Sequence, residues 1–253
     1  MSGVRTASAD GLFRITLDRP PVNVLSTAMM DAIAAALDEA AADRSVRVVR
    51  LDAAGKTFCA GVDVADHLGD KLPGMMDALL RLFAAFDAVP QPVLAVVQGA
   101  ALGGGLELLL GCDLVLASEA ATFGQPEIKL GVFAPPATVL LPRLIGERAA
   151  ARLLLTGETL DARAAERLGL VHEVVPAVAL GDAATLRLGS LLALSGAALR
   201  HAKRAIRESR GLAVSDAHAR LHALYLGPLM STEDAHEGLR SFMEKRPPAW
   251  KHR

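Results

Sequence analysis

Apolar and polar residues alternate over Leu12-Phe13-Arg14-Ile15-Thr16-Leu17 and stop at Arg19-Pro20-Pro21, which predicts a β-strand. Ser26 can then cap a helix whose apolar positions Met29, Ile33 and Leu37 recur at helical spacing, to about Asp43. Val46 to Asp52 alternates again, with Val49 breaking a strict period. A polar loop, Ala53 to Thr57, leads to the turn Phe58-Cys59-Ala60-Gly61. A helix follows over Met75 to Phe86, closed by Pro90 and Pro92. Val93 to Val97 is a short apolar run between Pro and Gly, the pattern of a strand buried on both faces. Gly103-Gly104-Gly105 opens a helix from Leu106 to about Gly111, and Asp113 to Ala117 reads as the next strand.

Alternating strands and helices imply a layered α/β fold. Strand signals end after about Leu180. Gly189 to Arg210, Ser215 to Leu226 and Thr232 to Lys245 all read as helical. The chain therefore divides near 190, into an α/β core over 1–190 and a helical region over 191–253. Pro92 to Ser118 is apolar enough to test as a membrane span, but Glu107 and Asp113 interrupt it well short of the ~20 residues required.

Composition narrows the picture. Of 253 residues, 52% are hydrophobic but only 4% aromatic, so the core is built from Ala, Val and Leu. Lys and Arg number 27 against 28 Asp and Glu; a net charge of −1 argues against general nucleic-acid binding, which needs a basic excess. Two cysteines without metal-type spacing, and an N-terminus without an apolar signal stretch, predict a cytoplasmic protein with free thiols.

Glu107 is the first candidate for chemistry. It sits one turn into a helix among Leu106, Leu108, Leu109 and Leu110, and burying an unpartnered carboxylate is costly. The plainer reading is an acidic residue favoured by a helix N-terminus; the leucines on every side favour a functional group. The three glycines either permit a tight turn or let a ligand approach backbone N–H groups aimed at developing negative charge. They make no dinucleotide fingerprint, since Leu108 stands where a third glycine belongs, and no phosphate-loop or serine-hydrolase signature is present. Glu127, after Pro126, is by itself an ordinary helix start. Asp63 reads as the cap of a short helix and Cys59 as an inert small hydrophobe. His218 and His222, one turn apart, and the basic run His201, Lys203, Arg204, Arg207 and Arg210 read most simply as solvated helix faces.

Taken in order, Ile15-Thr16-Leu17-Asp18-Arg19-Pro20, Phe58-Cys59-Ala60-Gly61-Val62-Asp63, Gln98 to Glu107, Phe123-Gly124-Gln125-Pro126-Glu127 and Phe242 to Arg246 resemble the enoyl-CoA hydratase/isomerase (crotonase) family. The resemblance implies a spiral of ββα units with a C-terminal helical trimerisation region, assembled as a homotrimer or homohexamer. It places the two N–H groups of an oxyanion hole on Val62 and Gly104, and two water-handling glutamates on Glu107 and Glu127. Ala60, Val62, Asp63, Val64 and Ala65 would line the pantetheine and adenine side, and Lys245 would reach the coenzyme A of a neighbouring subunit. The implied partner is an acyl-CoA thioester, with no metal, no further cofactor, no nucleic acid and no membrane. Where hydratases of the family carry a glycine-rich loop, Gly131 to Arg143 here brings Phe133 and a Pro135-Pro136 pair that stiffens the loop and reshapes the acyl pocket. That segment is similar to cyclohexa-1,5-diene-1-carbonyl-CoA hydratases. The implied activity is hydration of an enoyl-CoA, cyclic or open-chain. The alternatives are isomerisation or another crotonase chemistry and, in a different class, a non-catalytic RNA-associated scaffold.

Overall fold

The computed structural model describes residues 3–253. Strands β1 (Val4–Ala9) and β2 (Leu12–Leu17) form a hairpin closed by Asp10 and Gly11, both at positive φ. An Asp-Gly pair suits such a turn because its twist matches that of the flanking strands. β1 is largely exposed and has no apolar alternation, so that pair is its only mark in the sequence. From β2 the sheet grows by parallel pairing through β3 (Val48–Ala53), β4 (Val93–Val97), β6 (Leu114–Ser118) and β9 (Glu173–Val175). β5 (Ala101–Leu102), β7 (Thr122–Gly124) and β8 (Thr159–Asp161) make a second, smaller sheet.

Both faces of the large sheet are covered. Val49, Leu51, Val93, Ala95 and Val97 join the main core with α1 (Thr27–Ala42) and α2 (Leu72–Ala88). Their neighbours Val48, Leu94, Val96 and Leu116 pack beneath Leu180, Ala184 and Leu188 of α7 (Leu180–Leu192). Two-sided burial explains the unbroken apolar run of β4 and the broken alternation at Val49. Ser26 caps α1 as expected, its Oγ accepting from Met29 N at 3.3 Å.

Three expectations change. Gly131 to Arg143 is a loop only as far as Ala134. Helix α4 (Pro135–Ile145) then begins with Pro135 and Pro136, whose fixed φ suits a first helical turn. It is followed by α5 (Glu147–Thr156) and α6 (Ala162–Arg167). The helical stretch over Gly189 to Arg210 is two helices, because Ser195 starts α8 (Gly196–Glu208) by accepting from Ala198 N at 3.1 Å. Residue 190 lies inside α7.

The third change concerns the basic run along α8, of which Lys203 and Arg207 turn inward while Arg204 and Arg210 stay exposed. Lys203 is 5% exposed; its Nζ sits 2.6 Å from Asp113 Oδ2 and donates to Gln91 O. Arg207 donates to the carbonyls of Phe86, Asp87 and Val89 at the end of α2, where a cation complements unpaired C=O groups. These side chains fasten α8 to the sheet and α2. α9 (Val214–Leu224) and α10 (Glu233–Met243) complete the chain, and buried Asp234 on α10 accepts from the backbone N–H groups of Lys251 and His252 in the tail. No helix among the described residues is long and apolar enough to cross a membrane.

Candidate active site

The site is built where the turn after Thr57 meets the turn after β5. Cys59 N–H donates to Ala100 O, and Leu102 N–H returns to Cys59 O, both at 3.0 Å, which locks the two turns side by side. On its other edge the first turn pairs with Leu25. Leu25 N–H donates to Gly61 O at 2.9 Å and Asp63 N–H to Leu25 O at 3.0 Å. In an extended backbone successive N–H groups point to opposite sides, so the Val62 N–H is turned away from Leu25, and no protein group accepts from it among the described residues. Gly104 is the first residue of α3 (Gly104–Gly111), and its N–H is likewise unclaimed by the helix.

These two donors are neighbours. A β-carbon on Gly104 would lie 3.2 Å from Val62 N and 2.6 Å from Val62 Cγ2, so only glycine allows the approach. Gly103 is needed for a second reason: its φ of +53° with ψ of −125° is open only to glycine, and a β-carbon there would strike Glu127 Oε1 at 2.5 Å. The glycine triplet therefore serves both as a tight turn and as a close approach.

Two carboxylates flank the donors. Glu107, on the first turn of α3, is 3% exposed, and its Oε1 accepts from Ala137 N–H at 3.0 Å. Burial pushes its carboxyl up to about 8; the Ala137 N–H opposes this and the charge of Glu127 adds to it. Glu127 is half-buried on the turn Pro126–Leu130, and burial raises its carboxyl too. Gln125 is buried beside it. With its amide nitrogen toward the carboxylate, Gln125 donates to Glu127 Oε2 at 2.9 Å and Oε1 at 3.1 Å. Cys59 is buried and its thiol pushed up to about 11, the behaviour of an inert side chain.

The remaining predicted residues are spread more widely. Asp63 caps the short turn Val64–His67 through Ala65 N–H at 3.1 Å and pairs with Arg19 at 3.3 Å. Ala60 and Val64 are exposed on the same segment, and Phe133 is 68% exposed between the Glu127 turn and α4. Lys245 lies exposed just past α10, on the C-terminal helices rather than on the elements that carry the glutamates. His218 and His222 are exposed on α9. Gln125 and Ala137 were not singled out by sequence; Gln125 stood inside the Glu127 motif, whereas a backbone donor such as Ala137 leaves no mark of residue type.

Two unclaimed N–H groups at a helix start, with two glutamates beside them, can polarise a carbonyl oxygen and move protons next to it. The family profile described as enoyl-CoA hydratase/isomerase matches residues 7–253. The chain belongs to the enoyl-CoA hydratase/isomerase family. It is 38% identical to a cyclohexa-1,5-dienecarbonyl-CoA hydratase from Thauera aromatica, over 96% of this chain and 93% of that one. It is 36% identical to a 2,3-dehydroadipyl-CoA hydratase from Escherichia coli K12, over the whole of both. Among solved structures, an enoyl-CoA hydratase from Bacillus anthracis superposes with a TM-score of 0.94 at 31% identity, covering 99% of this chain and all of that one. The expected crotonase fold, α/β with C-terminal helices, is thus the fold observed.

Proposed function

We propose that this chain adds water across the α,β double bond of an enoyl-CoA thioester, an enoyl-CoA hydratase reaction and hence a carbon–oxygen lyase. What supports this reading is that Glu127 Oε1 reaches the Gly103 turn beside the Val62 and Gly104 N–H pair, and that Glu107, one turn into the same helix as Gly104, feels the charge of Glu127. The thioester carbonyl oxygen sits between the two donors and becomes an enolate oxygen as hydroxide adds at Cβ. Preorganised donors of this kind are each worth about 10²–10³ in rate. Glu107 takes a proton from the water, and Glu127 delivers one to Cα. Hydration so written begins with the pair's proton on Glu127 and ends with it on Glu107; dehydration runs the same states in reverse.

The acyl group we favour is the cyclic dienoyl thioester named for the Thauera relative, with Phe133 and the Pro135-Pro136 start of α4 shaping its pocket. Addition of water changes no oxidation state and the N–H pair supplies the electrophile, so the reaction asks for no metal or redox group beyond the substrate's coenzyme A. The reading includes a homotrimer or homohexamer in the cytoplasm. Leu226, Leu239, Phe242 and Met243, all more than half exposed on the last helices, support assembly, and the two unpaired cysteines support the compartment. Turnover of crotonyl-CoA and cyclohexa-1,5-diene-1-carbonyl-CoA, side by side in water enriched in heavy oxygen, tests the proposal. Label in the cyclic product alone supports the specialised hydratase; efficient label from crotonyl-CoA replaces it with a general one. Label in neither overturns the hydratase reading in favour of isomerisation or a non-catalytic role.

A further inference from the structure

Two amide side chains that the mechanism above does not use meet on one carbonyl. Asn23 is fully buried in the segment between β2 and α1. Its Oδ1 accepts from Arg19 N–H at 2.8 Å, and its Nδ2 donates to Ala54 O at 2.9 Å and to Thr57 O at 2.8 Å. The Arg19 N–H only donates and the two carbonyls only accept, so this amide has one orientation and both its hydrogens are used. Asn23 also stands at a φ of +51°, a left-handed backbone that Asn tolerates better than most residues. Gln98 reaches the same loop from the end of β4. Its Nε2 lies 3.2 Å from Thr57 O, and 3.1 Å from both Ala53 O and Gly55 O. The next residue, Gly99, presses on that loop as well: a β-carbon there would run into Lys56 O and sit 3.4 Å from Thr57 Cα.

Each amide begins a short path to an oxyanion donor. The neighbours of Asn23 grip the turn that carries Val62: Val22 O accepts from Ala60 N–H at 3.0 Å, and Leu25 bonds to Gly61 and Asp63 on either side of Val62. From Gln98 the chain runs through Ala100, whose carbonyl accepts from Cys59 N–H, into β5 and then to Gly103 and Gly104. Thr57 O is therefore an acceptor shared by the segment that holds Val62 and the segment that delivers Gly104. Loss of either amide takes a donor from that carbonyl and frees the loop to shift. A misplacement of about 1 Å at a reacting centre can cost about 10²-fold in rate.

We infer that Asn23 and Gln98 are positioning residues for the oxyanion hole: through Thr57 O they set the separation of the Val62 and Gly104 N–H groups. They act on the backbone that carries the donors rather than on the reacting atoms. The inference rests on the hydratase reading, in which those two N–H groups hold the thioester oxygen.

The carbonyl stretch of a bound thioester reads the hole directly. Butyryl-CoA labelled with heavy carbon at its carbonyl has no double bond to hydrate, and it is bound at saturation to the full chain for isotope-edited infrared difference spectra. The proteins compared are the wild type, Asn23→Gly, which keeps the positive φ without the amide, and Gln98→Met, which keeps the side-chain length. In the wild type the band should lie below that of free butyryl-CoA, because the two hydrogen bonds weaken the C=O bond. In each variant it should move back toward the free position. Crotonyl-CoA hydration should lose about 10- to 100-fold in kcat, with KM changed by less than about threefold. The double variant should lose less than the product of the single losses, because both amides act through one carbonyl. Losses that multiply overturn the shared node. A band that stays at the wild-type position in either variant, even with a lowered melting temperature, makes that amide merely structural and overturns the inference. Gln98 is only half-buried, so Gln98→Met decides alone if Asn23→Gly fails to fold. If the wild-type band does not move on binding, the hydratase reading and the inference fall together. If it moves but no enoyl-CoA is hydrated, the hydratase reading alone fails and the variants still decide.

Discussion

The Ala137 N–H that donates to Glu107 Oε1 at 3.0 Å is the first N–H that α4 has to offer, because Pro135 and Pro136 before it have none. One neutral donor does not offset the burial of Glu107, so its carboxyl stays up near 8. A carboxyl raised in the folded state binds more protons folded than unfolded. Its stabilising contribution is therefore complete below the ordinary carboxyl range and is lost as pH rises toward 8. Glu107→Gln, which keeps an oxygen for Ala137, should be progressively more stable relative to wild type as pH rises from 5 to 8. The difference should reach at most several kcal/mol, on the order of 1.4 per pH unit. Thermal unfolding across that range checks the sign. The same substitution should lower hydration by about 10²–10⁴ while coenzyme A ester binding persists.

Gly104→Ala tests the donor pair without touching a titratable group. The added methyl would press on Val62 at both Cγ2 and N, so either Val62 or the start of α3 must shift. A displaced donor should cost about 10²–10³ in kcat. Because the clash is local, circular dichroism and melting should still report a folded protein, which separates a lost oxyanion hole from a lost fold.

Much of this arrangement was legible in the chain. β4 and α1 could be placed because burial on two faces and on one face leave different apolar patterns, and Glu107 stood out because the leucines on every side leave little room for an exposed acidic face at a helix start. The convergence of Glu107 and Glu127, twenty residues apart, was implied by resemblance and could not be read from spacing. Three features were illegible for physical reasons. The Ala137 donor is backbone, so its residue type carries no signal. Pro135-Pro136 can stiffen a loop or start a helix, and only the packing of α4 decides which. The charges of α8 look like any solvated face until the positions of Asp113, Gln91 and the end of α2 are known.

Lys203 should matter for the fold rather than for chemistry. Its ammonium is buried against Asp113 and Gln91 O, and burial lowers its proton affinity while Asp113 restores part of it. Lys203→Met leaves Asp113 facing the cavity of a lost partner, although Val93 N–H still donates to it at 2.8 Å. Asp113 is partly exposed, so the cost is that of an unpartnered Gln91 carbonyl and a weakened ion pair, about 1–3 kcal/mol. Denaturant unfolding should show that loss, with kcat of the folded fraction unchanged; a fall in kcat without a fall in stability would contradict the assignment.

Pro136→Ala asks whether the paucity of donors at α4 sets the protonation of Glu107. Alanine suits the first turn of a helix, so the backbone of α4 should hold, and it brings an N–H one residue before Ala137 on the same end of the helix. A second donor favours the ionised carboxylate, and the N-terminal dipole acts in the same sense. The Glu107 titration should therefore move down from about 8, by on the order of one pH unit. In the proposed mechanism Glu107 must be ionised to accept the water's proton, so the acid limb of hydration should move to lower pH and activity near neutrality should rise. Dehydration requires Glu107 protonated, and its rate near neutrality should fall. Opposite changes in the two directions at one pH, each measured at saturating substrate, distinguish a shifted proton from a reshaped pocket, which would slow both.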